Sequence, residues 1–350
     1  MYLPFMFVVT MLNVLKFSKS FKPNRRLLLG ISSVLGSGVI SAKLGTSRLW
    51  GRSSMSPRIS FRSLLLFSTT VEKSEAPVEI FRSDYKPCDY TISDVYLSFD
   101  LDPSSTSVTS VNKVIRKGPE NADFVLDGED LDLVYVKVNG VELSSETLKK
   151  TSSTLTILGS ALPINNFDLE IKVIISPVKN LALSGLYASG PMLCSQCEAM
   201  GFRKITYSLD RPDVLSRYLV RLEGNEKAYP CLLSNGNKIE GGKGENGRHW
   251  ALWEDPFPKP SYLFAVVAGD LGSIHDEYVT SRGLKVSLGI YSEKKDVKKL
   301  DHAMYSLKQS MKWDENTFDL PCDLEVYNIV ATDDFNMGAM ENKGVKKLDH

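Results

Sequence analysis

Two short stretches of the sequence carry side chains that could bind a small charged group. The first, "SQCEAMGFRK", contains Gln196 and Glu198. Residues two apart on an extended segment point to the same side, so this amide and this carboxylate could face one pocket together. A polar strand end in solvent gives the same pattern, and spacing alone favours that simpler interpretation.

The second stretch, "FNMGAMENKG", places Glu341 shortly after a glycine. Gly338 lets another backbone approach closely because it has no Cβ atom. An extended segment leaving this glycine could pair edge-on with a bound peptide through main-chain hydrogen bonds. Met337 and Met340 would then be adaptable walls for varied side chains. Taken alone, the stretch fits equally well a turn with an acid nearby.

The elements that must position these residues are mainly β-strands. Apolar residues alternate in "VYLSFDL" and "FDLEIKVII", which predicts strands with one buried face. Asn139-Gly140 between two such runs predicts a hairpin, because both residues tolerate positive φ. The run "SYLFAVVAGD" is continuously apolar and is expected to be covered on both faces. Many short strands with polar turns predict an antiparallel β-sandwich or curved sheet over residues 72–270.

From residue 271 onward the pattern becomes a mixed α/β one. A strand, "LKVSLGIYS", is followed by a helical stretch and a second strand, "LEVYNIV". Ser292 is expected to cap the start of the helix. Apolar residues recur in the helix at steps of three and four and form one stripe: Val297, Leu300, Met304, Leu307 and Met311. We interpret residues 271–350 as the incomplete start of an α/β domain, and we expect its helix and strands to expose a large apolar surface.

The first 71 residues differ in composition from the rest of the chain. They contain ten Lys/Arg and no acid, and they begin with an apolar run, which is typical of a targeting leader. We expect residues 1–71 to be disordered or cleaved, to direct the protein to an organelle or the secretory pathway, and to mediate any membrane association. Without such targeting the protein would be cytoplasmic. The remaining chain has 32 basic and 42 acidic residues, a net charge of −10, which argues against a nucleic-acid partner.

Five cysteines form no dense disulfide framework, and their odd number favours a mostly reduced state. Cys194 and Cys197 have the spacing of a redox motif. No strand–helix pattern of the thioredoxin type surrounds them, so a redox or metal role is disfavoured.

Four stretches, in this order, resemble motifs of the zinc aminopeptidase N family, especially its bacterial and apicomplexan-parasite branch. They are "SQCEAMGFRK", "YSLDRPDVLSRY", "DPFPKPSYLFAVVAGDL" and "DFNMGAMENKG". "FRSDYKPCDYTISDVYLSFDL" resembles the start of that family's first domain. The resemblance covers roughly residues 78–344. It implies a saddle-shaped β domain followed by the beginning of a thermolysin-like catalytic domain.

The resemblance also implies which residues bind substrate. In the family, the "GAMEN" glutamate and the glutamate two residues after the glutamine bind the free N-terminal ammonium of a peptide. An exopeptidase must recognise a chain end, and an ammonium between two neighbouring carboxylates supplies the missing charge and three donors. The residues carried over as substrate-binding are Gln196, Glu198, Met337, Gly338, Ala339, Met340, Glu341 and Asn342.

Hydrolysis in this family requires zinc held by an H-E-x-x-H motif on a helix. The four histidines of the chain do not fit that motif: His249, His275, His302 and His350. We therefore expect zinc in the full-length family member, with neither metal ligands nor catalytic residues in this chain. We also expect the chain alone to be inactive.

Two hypotheses follow for function. The first is an aminopeptidase that acts on peptides with a free N-terminus, represented here by its N-terminal portion. The alternative is a non-catalytic peptide- or protein-binding β module. After "ENKG" the chain has Lys346 where the family has asparagine, and Lys347 where it has an apolar residue. This divergence favours a truncated gene model over a natural short form.

Overall fold

The structure is a computed structural model that describes residue 79 and residues 81–349. Residues 87–349 belong to one compact unit. Residues 79 and 81–86 fall in a separate unit, in which Arg82–Asp84 form a 3-10 turn. The predicted leader, residues 1–71, lies outside the described residues. No helix in the described part of the chain is long and apolar enough to cross a membrane.

The described residues form twenty β-strands, numbered here in chain order. They are β1 (Tyr90–Asp100), β2 (Thr106–Arg116), β3 (Phe124–Asp127), β4 (Asp132–Val138), β5 (Val141–Glu142), β6 (Leu148–Lys150), β7 (Thr154–Ile157), β8 (Phe167–Ile175), β9 (Gly185–Ser189), β10 (Met192–Gln196), β11 (Ser216–Asn225), β12 (Cys231–Ser234), β13 (Asn237–Lys243), β14 (Arg248–Lys259), β15 (Val266–Gly269), β16 (Gly272–Val279), β17 (Lys285–Ser292), β18 (Val326–Thr332), β19 (Ala339–Met340) and β20 (Val345–Asp349).

These strands form four sheets, so the fold is mainly β, as predicted. The largest sheet has the order β13-β14-β11-β1-β2-β8-β4-β5, and a small one has the order β3-β7-β6. A third sheet has the order β12-β15-β10-β9, and its strand β10 ends at Gln196. Most pairs in these three sheets are antiparallel, but β1 and β11 pair in parallel. This parallel pair differs from the purely antiparallel sandwich that the sequence predicts. The two strands are far apart in sequence and are not joined by a hairpin.

The apolar alternation of the sequence is confirmed by the core of the large sheet. Alternate residues of β1 and β8, including Leu97, Phe99, Leu169 and Ile171, are buried in one continuous cluster. Asn139 and Gly140 have φ values of 49° and 82° in the hairpin between β4 and β5. All residues of β15 are buried, including those that point to opposite faces of the sheet, and β12 and β10 pair with its two edges. The continuous apolar run therefore marks a strand covered on both faces.

The fourth sheet has the order β16-β17-β18-β20-β19, and β17, β18 and β20 run parallel. One helix, α1 (Leu300–Phe318), joins β17 to β18. Its apolar stripe packs on this sheet, and Met304, Leu307 and Met311 are buried against Leu288 and Ile329. The expectation of an unpartnered helix stripe is therefore wrong, because the strands on either side of the helix supply the apolar face that covers it.

The start of the helix also differs from the sequence prediction. A 3-10 turn, Lys294–Lys299, precedes α1, and no side chain caps either element. The Ser292 hydroxyl donates instead to the carbonyl of Glu293 at 2.9 Å. Ser292 is therefore part of the end of β17 and not a helix cap.

The predicted domain boundary at residues 270/271 falls between β15, which ends at Gly269, and β16, which begins at Gly272. Contacts between Cα atoms keep both sides of this boundary in one compact unit. The division into residues 72–270 and 271–350 stays a prediction.

Candidate functional site

The first half of the candidate site lies just beyond the end of β10. Gln196 is the last residue of the strand and is only 4% exposed, whereas Glu198 lies in the following turn and is exposed. The Gln196 Nε2 atom is 3.5 Å from the Glu198 carbonyl oxygen. The peptide bond between Glu198 and Ala199 is cis, and the Gly201 amide donates to the Cys197 carbonyl at 2.8 Å. This tight turn exposes the Glu198 carboxylate beside the buried amide of Gln196.

The second half lies at the edge of the fourth sheet. After β18 the chain loops through Met337 and Gly338, both exposed, and returns as β19. Ala339 and Met340 pair antiparallel with Leu348 and Lys347 of β20. Among the described residues, β19 is the last strand at this end of the sheet. Glu341 follows it directly and is half-buried.

Hydrogen bonds tie the loop of residues 333–344 to the third sheet. Asn235 donates from Nδ2 to the Lys343 carbonyl at 2.8 Å, and its Oδ1 accepts the Ala265 amide at 2.7 Å. Ser189 donates to Asp334 Oδ2 at 2.9 Å. The Gln196 Nε2 atom also contacts Met340 Sδ at 3.6 Å. Two stretches that are distant in sequence are therefore held together by polar contacts of β9, β10 and the residue after β12.

The Glu341 charge acts on the Glu198 carboxylate in the candidate site. Burial raises the pKa of Glu198 above its usual value, and the negative charge of Glu341 raises it further. The pKa of Tyr262 is raised by burial and then by Glu341 and Glu198. Within residues 79–349, neither carboxylate forms an ion pair or a hydrogen bond. The two acids therefore have no ion-pair partner among the described side chains, although the buried Lys346 is close enough to feel the charge of Glu341.

Two buried amides of the predicted set also have unpaired polar atoms. Asn342 is 1% exposed, and neither its Oδ1 nor its Nδ2 forms a hydrogen bond with any described residue. The same holds for Gln196 Oε1. Buried polar atoms without partners are costly and are uncommon in folded proteins. Asn342 directly follows Glu341 in the chain, so a buried amide without a protein partner adjoins the candidate site.

Sequence reasoning missed two residues of the site. Tyr262 lies in the 3-10 turn before β15 and is near both acids. It belongs to the "PKPSYLF" motif, so the signal was present, but nothing in that motif distinguishes a phenol that faces carboxylates from one that faces the core. Lys346 donates to the Glu341 carbonyl at 2.6 Å. In the sequence, Lys346 stood out only because the family has asparagine at this position. Nothing in the sequence indicated that its ammonium would be buried beside the site.

The described residues do not fit a zinc site. No group of three or more His, Cys, Asp or Glu in residues 79–349 could hold a metal ion. His249 Nε2 is paired with the Tyr229 carbonyl at 2.6 Å, and His275 Nε2 with Ser273 at 3.0 Å. His302 contacts Ser306 one turn along α1, and His350 lies outside the described residues. We therefore derive no chemical step through zinc from this part of the chain.

The "CSQC" cysteines are buried and not joined by a disulfide. Burial strongly raises the pKa of Cys197, and the nearby Asp210 raises it further. A buried thiol with a raised pKa is a poor nucleophile at neutral pH. Cys197 is therefore a core residue in the turn that carries Glu198.

Comparison with known proteins assigns the chain to a family. The family model described as the Peptidase M1 N-terminal domain matches residues 86–263. Aminopeptidase N of Escherichia coli (strain K12) is 50% identical over 272 residues, which cover 78% of this chain and 31% of the relative. Aminopeptidase N of Haemophilus influenzae is 48% identical over 265 residues, which cover 76% of this chain and 30% of the relative.

A solved structure gives the same assignment. The crystal structure of Legionella pneumophila aminopeptidase A in complex with aspartic acid superimposes with a TM-score of 0.72 and 34% sequence identity, over 76% of this chain and 31% of that chain. The chain thus spans about a third of the length of the relatives it matches. The chain belongs to the aminopeptidase N family of M1 peptidases and corresponds to the N-terminal portion of its members.

Proposed function

We propose that this chain provides the part of an aminopeptidase that binds the free N-terminal amine of a peptide. Glu198 and Glu341 accept hydrogen bonds from one ammonium, and Gln196 assists them. The observation that carries the proposal is that Glu198 and Glu341, which follow strands of two different sheets, have no ion pair among the described residues. Burial and then the charge of Glu341 raise the pKa of Glu198, which supports their closeness. The zinc dependence implied by the family is part of the proposal for the complete peptidase.

The charge arrangement favours an ammonium over other ligands. Glu198 is exposed and Glu341 is half-buried, and neither forms an ion pair within the described residues. Two negative charges close together repel each other. An ammonium carries one positive charge and three donors, so it can bind both acids at once. An internal peptide segment has no such cation and would leave the acids unpaired, which excludes it from the site.

The position of β19 suits a peptide that continues away from the amine. Ala339 and Met340 use one edge of their strand to pair with β20. The other edge is the end of the sheet among the described residues, so it can add a substrate backbone by main-chain hydrogen bonds. Met337 is 51% exposed next to this edge and is the proposed wall for the first side chain. In this proposal Gly338 and Ala339 lie along the backbone of the peptide substrate. The unpaired amide atoms of Asn342 belong to the same site.

The relatives support the same function. Two are named aminopeptidase N, and the Legionella enzyme was crystallised with aspartic acid, a free amino acid that carries an α-ammonium group. We propose that the substrates of this protein are peptides with an unblocked N-terminus. The residue that the enzyme removes is the one whose amine lies between the two glutamates.

The proposal is tested by binding measurements on the full 350-residue chain. Isothermal titration calorimetry with alaninamide and with N-acetylalaninamide compares a free amine with a blocked one. We expect alaninamide to bind in the millimolar range and the acetylated form not to bind. We expect Glu341→Gln and Glu198→Gln each to weaken binding by at least about tenfold, because each removes a charge-assisted hydrogen bond worth roughly 1.5–3 kcal/mol.

Glu277→Gln is the matched control. It removes an exposed acid from β16, at the opposite end of the sheet from β19, so it should leave alaninamide binding unchanged. Equal binding of the free and the acetylated amide, or equal effects of all three substitutions, would contradict the proposal.

A further inference from the structure

Lys346 places a buried ammonium beside the proposed amine site. The residue lies on β20 opposite Ile329 of β18, and its side chain is 9% exposed. Its Nζ atom donates to the Glu341 main-chain carbonyl at 2.6 Å. The ammonium is therefore held at the main chain of Glu341, a residue of the proposed amine site.

The surroundings of Lys346 combine burial with several charged and titratable groups. Burial lowers the pKa of Lys346 to about 8, and the Glu341 charge opposes this decrease. Burial raises the pKa of Asp314 on α1 to about 6, and Lys346 opposes that increase. The groups that face Lys346 from the loop of residues 333–344, the segment before β18, β18 and α1 are Glu341, Lys343, Cys322, Asp323, Tyr327 and Asp314.

We propose that Lys346 tunes the affinity of the amine site, because its positive charge offsets the Glu341 carboxylate and weakens the binding of a substrate ammonium. This inference rests on the proposed function. With Lys346 protonated, Glu198, Glu341 and Lys346 together carry one net negative charge. When Lys346 is neutral they carry two. Because the ammonium is buried, solvent ions screen its effect on Glu341 only weakly.

The consequence is a binding affinity that depends on the protonation of Lys346. A cation that keeps its charge should bind more tightly as pH rises through the range in which Lys346 loses its proton. Asp314 titrates near pH 6, and burial raises the pKa values of Cys322 and Tyr327 above their ordinary values. Asp314 is therefore charged and Tyr327 neutral between pH 7 and 9. The Lys346→Arg variant keeps Cys322, Lys343 and Asp323, so its comparison with the natural chain isolates the contribution of Lys346.

The test uses propylammonium as the probe, because an alkylammonium resembles a lysine side chain with a pKa of about 10.4 and stays charged up to pH 9. Calorimetry is performed at pH 7 and pH 9 on the full chain and on two variants. Lys346→Gln keeps a hydrogen-bond donor for the Glu341 carbonyl and removes the charge. Lys346→Arg keeps the charge at both pH values.

We expect Lys346→Gln to bind propylammonium about fivefold more tightly than the natural chain at pH 7, with an affinity equal at the two pH values. The natural chain should bind several-fold more tightly at pH 9 than at pH 7. Lys346→Arg should bind propylammonium weakly at both pH 7 and pH 9. A loss of a hydrogen bond alone would not produce this pH pattern. If Lys346→Gln does not fold, the contrast between the natural chain and Lys346→Arg still decides the question.

The outcomes separate this inference from the proposed function. If propylammonium binds, Glu341→Gln weakens it, and Lys346→Gln has the affinity and pH profile of the natural chain, the role of Lys346 is wrong and the amine site stands. If propylammonium does not bind, or binds equally well to Glu341→Gln, the proposed function itself fails and the inference fails with it.

Discussion

Burial and then the charge of Glu341, which lies at the end of a strand in a different sheet, raise the pKa of the Glu198 carboxyl. Glu198 follows β10 of one sheet and Glu341 follows β19 of another. Neither acid forms an ion pair with another described residue. The fold therefore brings a second negative charge close to Glu198, and under the proposed function an ammonium ligand would offset both charges.

The first prediction concerns the affinity for alaninamide as the pH falls below 7. Because the pKa of Glu198 is raised, this carboxyl binds a proton at a higher pH than an ordinary glutamate, and a protonated carboxyl cannot pair with an ammonium. Alaninamide binding should therefore weaken on acidification before the ordinary glutamate pKa is reached. Calorimetry between pH 7 and pH 4 measures this loss, and a flat affinity down to pH 4.5 would disprove it.

The same shift predicts a stability effect. A carboxyl whose folded-state pKa is raised contributes stability that is present below its unfolded pKa and is lost as pH rises through its folded pKa. Glu198→Gln should remove this loss, so the variant should be slightly more stable than the natural chain at pH 7 and equally stable near pH 4. Urea unfolding at the two pH values measures the difference. A destabilised variant at pH 7 would mean that Glu198 has a favourable partner in the folded protein.

Another prediction compares two buried amides near the site. Gln196 has an unpaired Oε1 and weak Nε2 contacts, so Gln196→Met should change the free energy of unfolding by less than about 1 kcal/mol. It should still weaken alaninamide binding by about fivefold. The Asn235 amide is fully paired: its Nδ2 donates to the carbonyls of Leu263 and Lys343, and its Oδ1 accepts from the amide of Ala265. Asn235→Leu should therefore cost about 3 kcal/mol of stability.

Urea denaturation and calorimetry on both variants check this contrast. Equal losses of stability would show that the Gln196 amide is bound as firmly as that of Asn235. Unchanged alaninamide binding in Gln196→Met would remove Gln196 from the site.

The sequence could predict most of the strands and only part of the site. Period-two alternation depends on which face of a strand is dry, and this is a local property, so β1 and β8 follow directly from their residues. The apolar stripe of the helix could also be predicted from the sequence. The surface that buries this stripe could not, because the packing of α1 on β17 and β18 depends on how three separate segments pair. The parallel contact between β1 and β11 is likewise a product of topology.

The two site motifs were recognisable as sequence, but their arrangement required the fold. Spacing places Gln196 and Glu198 on one extended segment, whereas the strand ends at Gln196 and the chain turns before Glu198 is exposed. Lys346 and Lys347 looked like polar residues out of place. In the structure Lys347 is fully buried and donates to the Ser195 carbonyl at 3.0 Å. A charge pattern alone cannot reveal that a main-chain carbonyl will be available to satisfy a buried ammonium.

A further prediction concerns the buried ion pair of the large sheet. Lys259 and Asp255 are both buried, 3.0 Å apart, and Lys259 Nζ lies 3.7 Å from the centre of the Tyr218 ring. Lys259→Met should cost about 3 kcal/mol of stability or more, because it leaves a buried carboxylate unpaired. Adding Asp255→Asn to Lys259→Met should recover most of that loss. Urea denaturation at pH 7 distinguishes the two variants, and equal stability of the two would contradict the expectation.

This pair also gives an alkaline pH dependence. Burial lowers the pKa of Lys259 to about 8 from an unfolded value of 10.5. Between these two pH values the unfolded chain binds more protons at this lysine than the folded chain, so the folded state gains stability as pH rises. The natural chain should therefore gain stability relative to the double variant between pH 8 and 10. A constant difference would show that Lys259 keeps an ordinary pKa.

The most direct test of the central claim is the titration of the Glu198 carboxyl by carbon-13 NMR in the natural chain, in Glu341→Gln and in the presence of alaninamide. The account predicts that the pKa of Glu198 lies above the ordinary glutamate value in the natural chain. It should fall when Glu341 loses its charge, and it should fall again when the ammonium ligand binds the natural chain. A Glu198 pKa that is the same in all three samples would contradict the claim that these two glutamates share one ammonium.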